Sequence, residues 1–239
     1  MSEAPPRDTA RSLGLWAAVA TAASAVIALS LGVATPPRSG SNCSSGCITA
    51  PYTDVVAFVP RDYIWMYAAS LMVLLFVVLV ASVHHSVAAS HRVLSQVALA
   101  FAVIAAAAAV CDYAVQLTVL QPSLLRGELD GLSLWSMYNP HGLFIAFENM
   151  AYLLMAVSFM FLAAALPRAG GIVRAARIVL VVAGTLTAMS LAVLAVHYGR
   201  DLGYRFEVLA IGVDWLALIV TGVLLALGFR KDVIAPKAP

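Results

Sequence analysis

Charge is scarce in this sequence. Only 11% of its 239 residues are Asp, Glu, Lys or Arg, and 62% are hydrophobic, whereas a soluble domain is roughly a quarter charged and half apolar. With a mean hydropathy of +0.94, that shortage excludes a water-soluble globular fold. No polar block is long enough to form a soluble domain beside the apolar part. The net charge of +2 is small and its basic residues are scattered, so no nucleic-acid partner is expected. Zinc-type pairings such as HExxH, ExxH or HxxxH are missing, so no metal or other cofactor is expected. No span is interrupted and no three-plus-three inverted repeat is visible, which counts against a transporter of the broken-helix kind.

What remains is a set of long apolar runs. Crossing roughly 30 Å of hydrocarbon takes about 20 apolar residues in a helix, and six runs qualify: 12–34, 63–83, 94–121, 142–166, 178–199 and 208–229. The fold expected is an all-α integral membrane protein, a six-transmembrane-helix bundle in one domain over 12–230. It lies between a disordered tail at 1–11 and a C-terminal tail at 231–239. The first run, about 20 residues long, exceeds the 7–15 of a signal peptide, so it is expected to stay as a helix. With the N-terminus inside, nine basic residues (Arg7, Arg11, Arg92, Arg168, Arg174, Arg177, Arg230, Lys231, Lys237) face inward. Five (Arg38, Arg61, Arg126, Arg200, Arg205) face outward. That bias predicts cytoplasmic termini in a plasma (cytoplasmic) membrane.

Between the first two spans, Cys43 and Cys47 sit in a loop of Ser, Gly and Pro. In an oxidising compartment they are expected to form a small structural disulfide. Tyr63, Trp65 and Tyr67 are expected to anchor the second span at the interface, with Tyr63, Tyr67 and Ser70 on one stripe. His84, His85 and His91 have no carboxylate or Cys near them in sequence and are read as solvated surface residues. The alanine run 105–109 marks a close helix interface. Cys111, lacking a buried cysteine to pair with, reads as a small core residue. The third span is expected to stop near Pro122. The mixed segment 123–138 suits a short piece along the interface, a lid over the bundle mouth. Asn139 and Pro140 look like an N-cap and first helical position for the fourth span.

The chemistry-bearing residues are the few ionisable ones inside the spans. His141, Glu148 and Tyr152 fall on one helical face. Asp112 and Gln116 are one turn apart. Counting from the helix ends at 1.5 Å per residue, Asp112, Glu148 and Asp214 share a depth of roughly 10 to 14 Å, with His141, His197 and Glu207 nearer the surface. A carboxylate in the hydrocarbon costs about 2.5–3.5 kcal/mol on insertion scales, so such residues face inward and are paired or functional. The candidate pocket is therefore Asp112, Gln116, His141, Glu148, Tyr152, His197, Glu207 and Asp214, with an aromatic rim of Tyr63, Trp65, Tyr67, Tyr152, Tyr198 and Trp215.

An acidic pocket of this kind is expected to bind or transport a proton, a cation or a small cationic ligand, with cation–π contacts from the aromatic rim. An alternative is a membrane enzyme acting on a lipid or isoprenoid through carboxylate–His acid–base or metal chemistry. A second alternative is an accessory subunit whose acids satisfy a membrane protein partner or a second copy of the chain.

Overall fold

The computed structural model describes residues 6–168 and 170–234, and within them the regular structure is helical. In chain order the helices are α1 (Pro6–Ala34), α2 (Trp65–Ser86), α3 (Arg92–Val115), α4 (Gln121–Arg126), α5 (Leu132–Trp135), α6 (Leu143–Ala165), α7 (Ile172–Tyr198) and α8 (Arg205–Arg230). Six helical stretches are long and apolar enough to cross a bilayer, and they match the six runs read from composition. The chain is a multi-pass helical membrane protein. The tail expected over 1–11 is already helical from Pro6, while residues 1–5 and 235–239 of the two expected tails lie outside the described residues.

The six long helices close a ring in the order α1, α2, α3, α6, α7, α8, with α6 also touching α8 across it. Phe76 of α2 and Phe159 of α6 meet edge to face, their centroids 5.4 Å apart, in the middle of the bundle. Small residues set the closest approaches, as expected where lipid supplies no hydrophobic drive and packing must do the work. A Cβ on Gly222 of α8 would lie 2.8 Å from the Ala18 carbonyl of α1, so glycine is what lets these two backbones touch. The alanine run contributes Ala105, Ala106 and Ala109 to the core. Cys111, by contrast, is exposed on the outside of α3 instead of buried, because a helix that carries Asp112 and Tyr113 inward turns its neighbour outward.

The start of α1 and the end of α8 lie at one end of the bundle. The Arg11 guanidinium donates from Nε to the Phe229 carbonyl and from Nη2 to the Arg230 carbonyl, each at 2.8 Å, supplying donors and positive charge to the C-terminal carbonyls of α8. The opposite end is covered by three connections, 35–64, 127–142 and 199–204, and it holds most of the polar tertiary structure.

Three departures from the sequence reading shape that end. The third span does not stop at Pro122: a π-helical turn, Gln116–Leu120, carries it into α4 and on to Arg126. Proline lacks an N–H and its ring collides with the carbonyl four residues back. In the wider turn the Gln121 N–H reaches the Gln116 carbonyl five residues back, so the ladder has already slipped by one residue where Pro122 enters. The fourth span also begins later than Asn139. Residues 139–142 form a turn in which Asn139 Oδ1 accepts from the His141 N–H at 3.0 Å, and α6 starts at Leu143. Likewise Tyr63 lies in a 3-10 turn ahead of α2, so it is buried while Tyr67 points outward, and the expected stripe with Ser70 is split.

Candidate functional site

The loop-rich end is built on one buried carboxylate. Asp62 is fully buried and accepts hydrogen bonds from Arg38 Nε and, at 3.3 Å, from Arg38 Nη2. Arg61 Nε donates to it at 3.1 Å and the Tyr138 hydroxyl at 3.2 Å. The Arg38 guanidinium lies 3.6 Å over the Phe58 ring, a cation–π contact made stronger by its partial burial. Asp62 holds the guanidinium above its ordinary value, and burial pushes the Tyr138 hydroxyl up so that it remains a donor. Next along, the Tyr204 hydroxyl donates to the Met137 carbonyl at 3.0 Å and lies 2.8 Å from Ser39 Oγ. Thus one tyrosine ties all three covering connections together. Of the segment 123–138, residues up to Arg126 belong to α4, and the remainder, with α5 at its centre, covers this end of the bundle. It is pinned by Gln116 Nε2 donating to the Trp135 carbonyl at 2.6 Å and by Ser136 Oγ donating to the Tyr52 carbonyl at 3.0 Å. Cys43 and Cys47 are disulfide-bonded in the same cap.

Beneath the cap, polar side chains form a directed chain inside the bundle. Trp215 Nε1 donates to the Tyr152 hydroxyl at 3.1 Å. The Tyr152 and Tyr113 hydroxyls are 2.8 Å apart, and the Tyr113 hydroxyl donates to Glu148 Oε1 at 2.6 Å. Because Tyr113 spends its only proton on Glu148, Tyr152 must donate to Tyr113, and every donor in the chain points toward the carboxyl. The four residues come from α3, α6 and α8 and all are buried. The Glu148 carboxyl lies against that of Glu207 on α8, and Asp112 is within Coulombic reach of both. Glu148 Oε2, Glu207 Oε2 and both Asp112 oxygens have no hydrogen-bond partner.

A cavity of about 570 Å³ opens beside this cluster, between the ends of α1 and α8 and under the cap. It falls within the roughly 300–1,000 Å³ range of small-molecule sites. Apolar walls come from Leu29, Val33, Val208 and Ile211, aromatic ones from Trp65, Phe144 and Trp215, and charge from Glu207 and Arg38. Trp65 and Trp215 contact each other with centroids 6.0 Å apart. The gap exists because α1 and α8 touch through Gly222 lower down but carry Gly32 and Gly212 here, where a Cβ on Gly212 would meet nothing within 4 Å.

Of the eight residues singled out from sequence, Asp112, Glu148, Tyr152 and Glu207 come together. Asp214 does not join them. It lies seven residues, about 10 Å, deeper than Glu207 along α8, where Thr187 Oγ1 of α7 donates to its Oδ1 at 2.7 Å. The acid that completes the set is Glu207, which helix-end counting had placed too near the surface. Gln116 serves the lid. His141 and His197 are exposed, His197 packed on Tyr198 with centroids 4.6 Å apart, and neither is bonded to a carboxyl. Among the described residues no three His, Cys, Asp or Glu side chains are grouped as a metal site would need.

Three participants escaped the sequence reading. Tyr113 could have been found as the buried neighbour of Asp112, since an interior tyrosine hydroxyl needs a partner. Arg38 and Asp62 carried a weaker signal, two opposite charges at either end of one loop. Comparison with protein-family models, with curated proteins and with solved structures finds no match to this chain.

Proposed function

We propose that this protein binds an organic cation with an apolar body in the cavity between α1 and α8, the ammonium group meeting Glu207. One observation carries this: Glu207, a nine-tenths buried acid that no basic side chain pairs with among the described residues, lines a cavity whose other walls are mostly apolar and aromatic. Arg38 does not cancel that charge, because its own is balanced by Asp62. Trp65 and Trp215 add ring faces that favour a cation. Behind Glu207, the Glu148 carboxyl is fixed by Tyr113. Two neighbouring carboxyls repel when both are charged, so an ammonium arriving at Glu207 is favoured by Glu148 as well.

We further propose that the cavity faces the outside of a plasma membrane, with both termini cytoplasmic. The nine-to-five distribution of basic residues favours this orientation, and the Cys43–Cys47 bond at the cavity end fits an oxidising compartment.

The test is photolabelling of the purified protein in nanodiscs with an alkylammonium probe bearing a diazirine on its chain. Label should concentrate on Leu29–Thr35 and Val208–Trp215 and be displaced by unlabelled dodecylammonium. Label spread evenly over lipid-facing side chains such as Val182 and Met189 of α7, with no displacement, would remove the site.

A further inference from the structure

The cavity carries a second polar site that a simple cation would not use. Arg38 lines it together with Ser39, Asn42 and Thr35, so its polar groups fall into two sets, a carboxyl on α8 and a guanidinium with neighbouring hydroxyl and amide groups on the loop after α1. Tyr204 bridges the sets: its hydroxyl meets Ser39, next to Arg38, and it lies one helical turn before Glu207. The bonds from Arg38 to Asp62 use Nε and Nη2. The Nη1 amino group takes part in neither, and a guanidinium has five N–H donors in a fixed fork. An anionic oxygen group can therefore be recognised by Nη1 without disturbing the Asp62 pair.

The apolar walls add a direction of approach. Val33 and Val208 both line the cavity, yet they are 79% and 54% exposed. The rim of the gap between α1 and α8 is therefore formed by exposed apolar side chains. A ligand with an alkyl chain can keep that chain between Val33 and Val208 while its polar end lies under the cap.

Resting on the cation pocket above, we propose that the ligand is a zwitterionic single-chain amphiphile taken laterally from the bilayer, its ammonium on Glu207 and its phosphate or carboxylate on Arg38. The primary ammonium, the anionic group and the chain are each matched by a separate part of the cavity.

The experiment is displacement of the alkylammonium photoprobe from protein in nanodiscs by four competitors: dodecylammonium, dodecyl phosphate, free phosphoethanolamine and a lysophosphoethanolamine with a twelve-carbon chain. The lysophosphoethanolamine should compete about tenfold or more below dodecylammonium, as an added charge-assisted bond implies, and free phosphoethanolamine should compete poorly. Arg38→Gln should erase that advantage, read as the ratio of lysolipid to dodecylammonium competition within the same variant, since loss of the Asp62 partner acts on both competitors alike. Asn42→Asp, which leaves the Arg38–Asp62 pair intact, should reduce it the same way, so a folding defect in the first variant does not decide the matter. Equal competition by dodecylammonium and the lysolipid overturns the zwitterion but leaves the cation pocket standing. Equal competition by free phosphoethanolamine and the lysolipid overturns lateral uptake of the chain. No displacement by any of the four overturns both the zwitterion and the pocket.

Discussion

The Tyr113 hydroxyl and Glu148 Oε1, on different helices, are 2.6 Å apart in the buried centre of the loop-rich end. This bond fixes the direction of every other hydrogen bond in its chain and joins α3 to α6 where Glu148 faces Glu207. Removing it with Tyr113→Phe leaves the Tyr152 hydroxyl without its acceptor and Glu148 without its donor. A loss of about 1–3 kcal/mol is expected, the cost of an unsatisfied buried polar group. Thermal unfolding in detergent measures it. The pair Tyr113→Phe and Tyr152→Phe should be less than additive, because the two hydroxyls belong to one network.

The second buried carboxylate answers a different question. Asp62→Ala strands Arg38 and the Tyr138 hydroxyl, and breaking a buried ion pair costs about 3–5 kcal/mol. Arg61 also touches Asp62, but its side chain is 67% exposed, so Arg61→Ala should cost under about 1 kcal/mol. Equal losses for the two variants would show that Asp62 is held by both arginines alike.

Helix spacing is tested by glycine substitution. Gly222→Ala places a methyl group against the Ala18 carbonyl and should cost about 1–3 kcal/mol. Gly212→Ala meets open space and should be neutral in stability. Gly212→Phe fills the cavity and should abolish photolabelling with the fold retained, which separates occlusion of the site from loss of structure.

Thiol counting checks the cap. The unreduced, denatured protein should react with one equivalent of maleimide, at Cys111, and with three after reduction of Cys43–Cys47. In the folded protein Cys111 should react with a membrane-permeant reagent, since its face of α3 is exposed.

The six spans were legible in the sequence because apolar length is a property of each segment by itself. The burial of Glu148 and Tyr152 was legible for a similar reason: a carboxylate in an apolar helix has nowhere else to go. What could not be read was which helices face one another. Asp214 and Glu207 lie on the same stripe of α8, and the choice between them as partner for Glu148 depends on how far α8 is shifted along α6. The end of the third span was misplaced for a local cause, since the π-turn at Gln116–Leu120 carries the helix beyond Pro122. The histidines were over-read: His141 lies in the turn before α6, and His197, in the last turn of α7, is on the exposed face of that helix.

The central claim is that Glu207 is the group that meets the ligand's cation. Titration calorimetry of dodecylammonium into nanodiscs holding the native chain, Glu207→Gln and Asp214→Asn tests it most directly, with protein-free nanodiscs subtracted. Glu207→Gln should weaken binding about tenfold or more, the loss of one charge-assisted contact, while Asp214→Asn, whose carboxyl is engaged by Thr187 away from the cavity, should bind like the native chain. Unchanged affinity in Glu207→Gln, or the larger loss in Asp214→Asn, would contradict it.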